Sequence, residues 1–132
     1  MAGLILPGDE ANTLNAVLSQ TLNLILYTSN TTPSKSGYGS NTSDFTEAAG
    51  GGYAAKSFNS ASWTLTGSNP TVATYAKQTF AFTGALTGGA SIYGYAIKTA
   101  SGTIIAAELA SAPFTPSTTS NAYSVTPTIN FK

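Results

Sequence analysis

From Gln20 onward, apolar residues recur at every second position, and that period constrains the fold class more than any other feature of the chain. Leu22, Leu24 and Leu26 alternate with Asn23, Ile25 and Tyr27. Side chains of an extended backbone point alternately to two faces, so this spacing predicts a strand with one strongly apolar face. Further candidate strands follow at short intervals: 53–58, 61–65 with Trp63, 72–75 as a short edge, 79–83, 92–98, 103–109 and 123–131. Turn-forming residues separate them at Gly67-Ser68-Asn69-Pro70, over 84–90, at Ser101-Gly102 and over 113–120. Pro127 cannot donate to a ladder, which puts it at an edge or a bulge of the last strand. Seven or eight short strands joined by turns predict an all-β fold, a β-sandwich or a jelly-roll-like barrel.

One short N-terminal helix precedes the strands. Over residues 9–20, Ala11, Leu14, Val17 and Leu18 fall on one face. Pro7-Gly8 is expected to stop the preceding segment, Asp9 to cap the helix, and Glu10 to favour the positive end of its dipole. Such a helix would plug the end of a barrel or sandwich. Residues 1–7 carry Leu4, Ile5 and Leu6 and read either as an edge strand or as a docking arm. The 132 residues form a single domain on this reading.

Two glycine-containing stretches interrupt the pattern. The loop 29–44 is long, polar and without a core pattern, and loops of that length are usually functional or mobile. It is not needed to complete a sandwich, so its aromatic Tyr38 becomes, with Leu4, Ile5 and Leu6, a candidate partner contact. Gly50-Gly51-Gly52 permits positive φ and close backbone approach. No Lys-Ser/Thr pair follows to open a helix, so the phosphate-loop reading gives way to a turn or bulge at a sheet corner.

The chain has no histidine, cysteine or arginine. Those side chains supply most neutral-pH proton relays, soft nucleophiles, metal ligands and bidentate anion contacts. Charged residues make up 8%, and the net charge is zero. Neither an electrostatic grip on nucleic acid nor adhesion to an anionic membrane is expected. The 21 threonines and 16 serines that replace charge suit close packing against other protein. No run approaches the ~20 apolar residues of a membrane span, and the first ten residues lack the basic region of a secretory signal. The chain is therefore expected to be made in the cytoplasm.

The remaining chemistry is sparse. Glu47 and Glu108 are the acidic residues in or beside strands, and a matched pair would suit glycoside hydrolysis. The simpler expectation is an ion pair of Glu108 with Lys98, diagonally across a Ser101-Gly102 hairpin whose paired numbers sum to about 203. Asn41, Ser43, Asp44 and Glu47 offer oxygen ligands for calcium, without EF-hand spacing. Tyr38, Tyr53, Tyr93, Tyr95 and Trp63 could form a sugar or partner platform. Trp63, Phe80 and Phe82 are expected in the core, with Tyr93 and Tyr95 divided between core and surface. No catalytic residue, metal ligand or cofactor site is assigned.

The ordered run LNLILYTSNTTPS, FTEAAGGGYA, SASW, TFAFTG, IYGYAI and the late Ala107-Glu108, following a short helix, resembles small virion structural proteins of tailed bacteriophages. The resemblance spans nearly the whole chain and has no catalytic motif to anchor it. It implies a particle component. The expectation is a capsid decoration or cement protein, made in the host cytoplasm and located in the virion. Its expected partners are the major capsid protein, other virion proteins or further copies of itself. A tail or tail-fibre component with receptor-binding loops is the alternative, and a carbohydrate-active enzyme or lectin the remote one.

Overall fold

The computed structural model describes residues 7–68 and 70–130. Among these residues the fold is mostly β: one α-helix and nine strands arranged in three antiparallel sheets. Helix α1 spans Pro7–Leu18. The strands are β1 (Leu22–Tyr27), β2 (Lys56–Ser57), β3 (Thr64–Thr66), β4 (Val72–Thr74), β5 (Gln78–Ala81), β6 (Ile92–Thr99), β7 (Ile104–Phe114), β8 (Ala122–Val125) and β9 (Thr128–Asn130). The sheets run β2-β1-β6-β7, β3-β4-β9 and β5-β8. Each is open, so the barrel expectation is not met.

The helix starts two residues earlier than its sequence signals suggest. Pro7 and Gly8 lie inside its first turn, where a missing N–H costs nothing because the first helical amides have no internal partner. Asp9 is therefore in the first turn rather than at the cap. Leu14 and Leu18 are buried on the expected face. Glu10 shares that face at i, i+4, i+8 spacing, and its carboxylate accepts the Thr71 N–H at 2.8 Å. That bond ties α1 to the start of β4.

The main core lies between the inner face of the four-stranded sheet and the other elements. Leu22, Leu24, Leu26, Ile92, Tyr95 and Ile97 meet Leu14 and Leu18 of α1, with Ala73, Phe80, Phe82, Leu86 and Val125. β1 is covered on both faces, not one: Ile25 and Tyr27 join Phe45 and Ala96 in a second cluster on the outer face. Parity of the strand explains the division, since residues 22, 24 and 26 point one way and 25 and 27 the other. Phe80 and Phe82 are core residues. Trp63 is half-buried at the core's margin, with its ring centroid 4.9 Å from Phe58 and 5.1 Å from Tyr75. Its buried Nε1 finds no acceptor among the described residues.

Several strands differ from their sequence outlines. β4 is the centre of its sheet rather than an edge. β7 runs on to Phe114, past the residues expected to open a loop. The single strand expected over 123–131 is two strands in different sheets, broken at Thr126-Pro127, with Pro127 buried between them. Proline supplies no N–H to a ladder, so pairing stops there and β9 can join β4 instead of β5. Phe131 and Asn69 lie outside the described residues.

The glycine triplet forms a corner. Gly50, Gly51 and Gly52 all have positive φ (79°, 60° and 78°). A Cβ on Gly51 would stand 2.7 Å from the Gly84 carbonyl oxygen. Only bare backbone lets this turn seat against the 83–87 segment, where Thr83 N–H donates to the Gly51 carbonyl at 2.8 Å.

Candidate interaction surface

The 29–44 segment, expected as a free polar loop, is built into the outer face of the four-stranded sheet. Its ends are stitched by Thr28 N–H to the Thr46 carbonyl (2.8 Å). Within it, the Asp44 carboxylate accepts the backbone N–H groups of Gly39 (2.8 Å) and Asn41 (3.2 Å). The Gly39 amide is the main reason its pKa lies below the ordinary carboxylate value of 3.8. The buried Thr31 hydroxyl donates to the Asp44 carbonyl at 2.7 Å. Thr31's own carbonyl accepts the Tyr27 hydroxyl at 3.1 Å. The loop therefore closes the second hydrophobic cluster over Phe45, which meets Tyr27 edge-to-face at 5.0 Å. At its tip, Tyr38 is 67% exposed, with its hydroxyl 3.2 Å from Thr31 Oγ1. A scaffolded loop thus presents an aromatic ring to solvent. Leu4, Ile5 and Leu6 lie outside the described residues.

The carboxylates take structural partners. Glu47 accepts the Tyr53 hydroxyl (3.1 Å) and pairs with Lys98 at 3.2 Å. Glu108 accepts the Tyr95 hydroxyl at 2.8 Å. The expected Lys98–Glu108 pair does not form. The register is the expected one, with Tyr95 opposite Glu108, a sum of 203. Cross-strand neighbours share a face, and Lys98, three residues beyond Tyr95, points to the other one. Glu47 and Glu108 are thus held by different partners, Glu47 by Lys98 and Tyr53 and Glu108 by Tyr95. Among the described residues no group of three or more acidic, histidine or cysteine side chains gathers as a metal site. Of the calcium candidates, Asn41, Ser43 and Asp44 share one turn, where the Asp44 carboxylate accepts backbone amides and the Asn41 side-chain amide, while Glu47 is turned to Lys98.

Tyr95 is a buried clasp. It donates to Glu108, and its oxygen accepts the Thr128 N–H at 3.0 Å, which ties β9 to the β6–β7 pair. Burial pushes its phenol pKa up, as it does those of Tyr53 and Tyr123. Tyr27 is pushed up to about 12 by burial, with Tyr123 and Glu108 adding to the effect. Two depressions flank the clasp. One, of about 330 Å³, is lined by Glu108, Tyr123 and Ser111 among others. Tyr123 packs against Phe114 at 5.2 Å, so its ring is already partnered. The other, of about 660 Å³, follows β7 toward Ile104.

No signal in the sequence pointed to the groove along β7, because its walls come from three segments far apart in the chain. No family model, curated protein or solved structure matches this chain.

Proposed function

We propose that this chain is a structural component of a tailed-phage virion, a decoration or cement protein that stabilises the shell by bridging major capsid subunits. The observation that carries the reading is the use of its few charges. Glu10, Asp44, Glu47 and Glu108 all bond to backbone amides, tyrosines or a lysine within the fold. The surface left to a partner carries few charges and many serines and threonines, with Tyr38 projecting from a braced loop. Such a surface buries against protein at low desolvation cost, and added contacts stabilise an assembly by mass action. The four-stranded sheet and the smaller sheets, sharing one core, are read as a sandwich-like platform for that loop.

A tail location is the second reading, and the exposed Tyr38 supports it equally, as the tip of a receptor-binding loop. The glycan-directed reading rests on the small depression beside Glu108. A single carboxylate there lacks the second one that glycoside hydrolysis needs.

The test is occupancy on purified shells, read by electron microscopy of intact particles with and without added protein. The expected result is density on the shell lattice, weakened by Tyr38→Ala, since few residues usually dominate an interface. Density confined to the tail would select the second reading. Absence from particles, or glycan turnover lost in Glu108→Gln, would overturn the virion reading.

A further inference from the structure

Glu108 carries a charge that no lysine neutralises among the described residues. Its Oε2 accepts the Tyr95 hydroxyl, a neutral partner. Lys98 is held by Glu47, and the Lys56 ammonium stands 5.2 Å from the centre of the Phe80 ring. The uncompensated charge is felt across the depression of about 330 Å³ that Glu108 shares with residues of β8. On that far side burial raises the Tyr123 phenol pKa, and the Glu108 charge raises it further. A cation placed between the two would offset the Glu108 charge.

The lining narrows the kind of cation. Ser111, Tyr123 and Thr126 face the same depression, and their hydroxyls take no partner among the described residues. Ala110 and Val125 add apolar wall. A calcium ion takes six or more oxygens and usually several carboxylates; here there is one carboxylate. A guanidinium pairs best with both oxygens of a carboxylate, and the Tyr95 hydroxyl already occupies Oε2. A primary ammonium is a compact charge with three donors. One donor suits the remaining Glu108 oxygen, and the other two suit hydroxyls. An aliphatic stem behind it suits Ala110 and Val125, as lysine stems lie along apolar surface while the charged head keeps polar company. Tyr95 and Tyr123 are aromatic walls, and aromatic rings attract cations to their faces.

We propose that the depression between β7 and β8 is a socket for a primary alkylammonium, anchored on Glu108. Its occupant has the chemistry of a lysine side chain on a partner protein or of a free aliphatic amine. The proposal goes beyond the virion reading and does not rest on it, since the socket would bind an amine in a protein with any role.

NMR titration of the full chain at neutral pH with n-butylammonium tests it. Resonances of residues 108–111 and 123–126 should move and saturate, while those of the 29–44 loop stay in place. Glu108→Gln removes the charge and keeps an acceptor for Tyr95; it should weaken binding about threefold or more, the scale of an exposed ion pair. Asp9→Asn removes an equal charge from α1 and should bind as the parent does. Ser111→Val crowds the socket without touching the Tyr95 clasp and should also weaken binding. n-Butanol and n-butylguanidinium should bind less well than n-butylammonium. Binding of Nα-acetyllysine methylamide as tight as that of n-butylammonium assigns the socket to a protein's lysine. Its exclusion, with n-butylammonium still bound, assigns the socket to a free amine; each supports the site. Shifts that never saturate would overturn the proposal, as would n-butanol binding equally well or an affinity unchanged by Glu108→Gln. If Glu108→Gln does not fold, an unchanged affinity in Ser111→Val overturns it instead.

Discussion

Gly94 shows how one missing side chain organises a strand. A Cβ there would run into the Glu108 carbonyl and lie 2.5 Å from the Tyr27 hydroxyl. The bare position lets the Tyr27 ring cross β6, and its hydroxyl bonds to the Glu108 carbonyl at 3.1 Å. Gly94→Ala should therefore force Tyr27 aside and withdraw the one hydroxyl proton that the Thr31 and Glu108 carbonyls share, at a cost of about 1–3 kcal/mol. Urea unfolding should show a lower midpoint, and Tyr27→Phe, which loses the bonds without the clash, should lose less. At this scale the sequence was partly legible. Alternation placed Tyr27 and Gly94 in strands, and pair-sum arithmetic placed Tyr95 opposite Glu108. It could not say which carboxylate Lys98 would find, because Glu47 arrives from a segment 51 residues away.

Among the elements, the 29–44 loop departs most from its sequence reading. Polar composition signalled a dispensable loop, yet it roofs a hydrophobic cluster and spends its polar groups on itself. Shortening residues 32–42 would remove Gly39 and Asn41 from Asp44, so that deletion is expected to damage the fold rather than spare it. Asp44→Ala should speed amide exchange at Gly39 and Asn41 while leaving β1 and β6 protected. Acid should act likewise. The carboxyl pKa is depressed in the fold, so its contribution is present above the ordinary 3.8 and is lost as pH falls through the lower folded value. Amide exchange at Gly39 across that range reads the transition. Asx and Ser turns of this kind depend on local geometry that composition does not encode.

For the molecule as a whole, alternation and turn chemistry predicted the all-β class, the helix and much of the core. Sheet membership was not legible, because antiparallel partners are chosen by three-dimensional packing and not by neighbouring turns. Pro127 marks a break in the sequence, but nothing local says that the break sends β8 and β9 to different sheets. The buried and half-buried tyrosines give the assembled fold a shared weakness. Tyr27, Tyr53, Tyr95 and Tyr123 all have raised phenol pKa values, chiefly from burial. A raised folded pKa means stability that is complete below the ordinary value of 10.0 and declines as pH rises from there through about 12 for Tyr27. Circular dichroism should show cooperative unfolding in that interval, together with phenolate absorbance.

The pairing of β1 with β6 also sets a clock. Leu22 lies opposite Thr99, 99 − 22 = 77 residues further along. Ribosomes add about 5–20 residues per second, so a nascent β1, greasy on both sides, waits roughly 4–15 s for its neighbour. Such remote pairings put refolding of the isolated chain in the millisecond-to-second range typical of β topologies, and stopped-flow tryptophan fluorescence would time it. During synthesis, that interval is the one in which a holdase would find the Leu22–Tyr27 segment exposed.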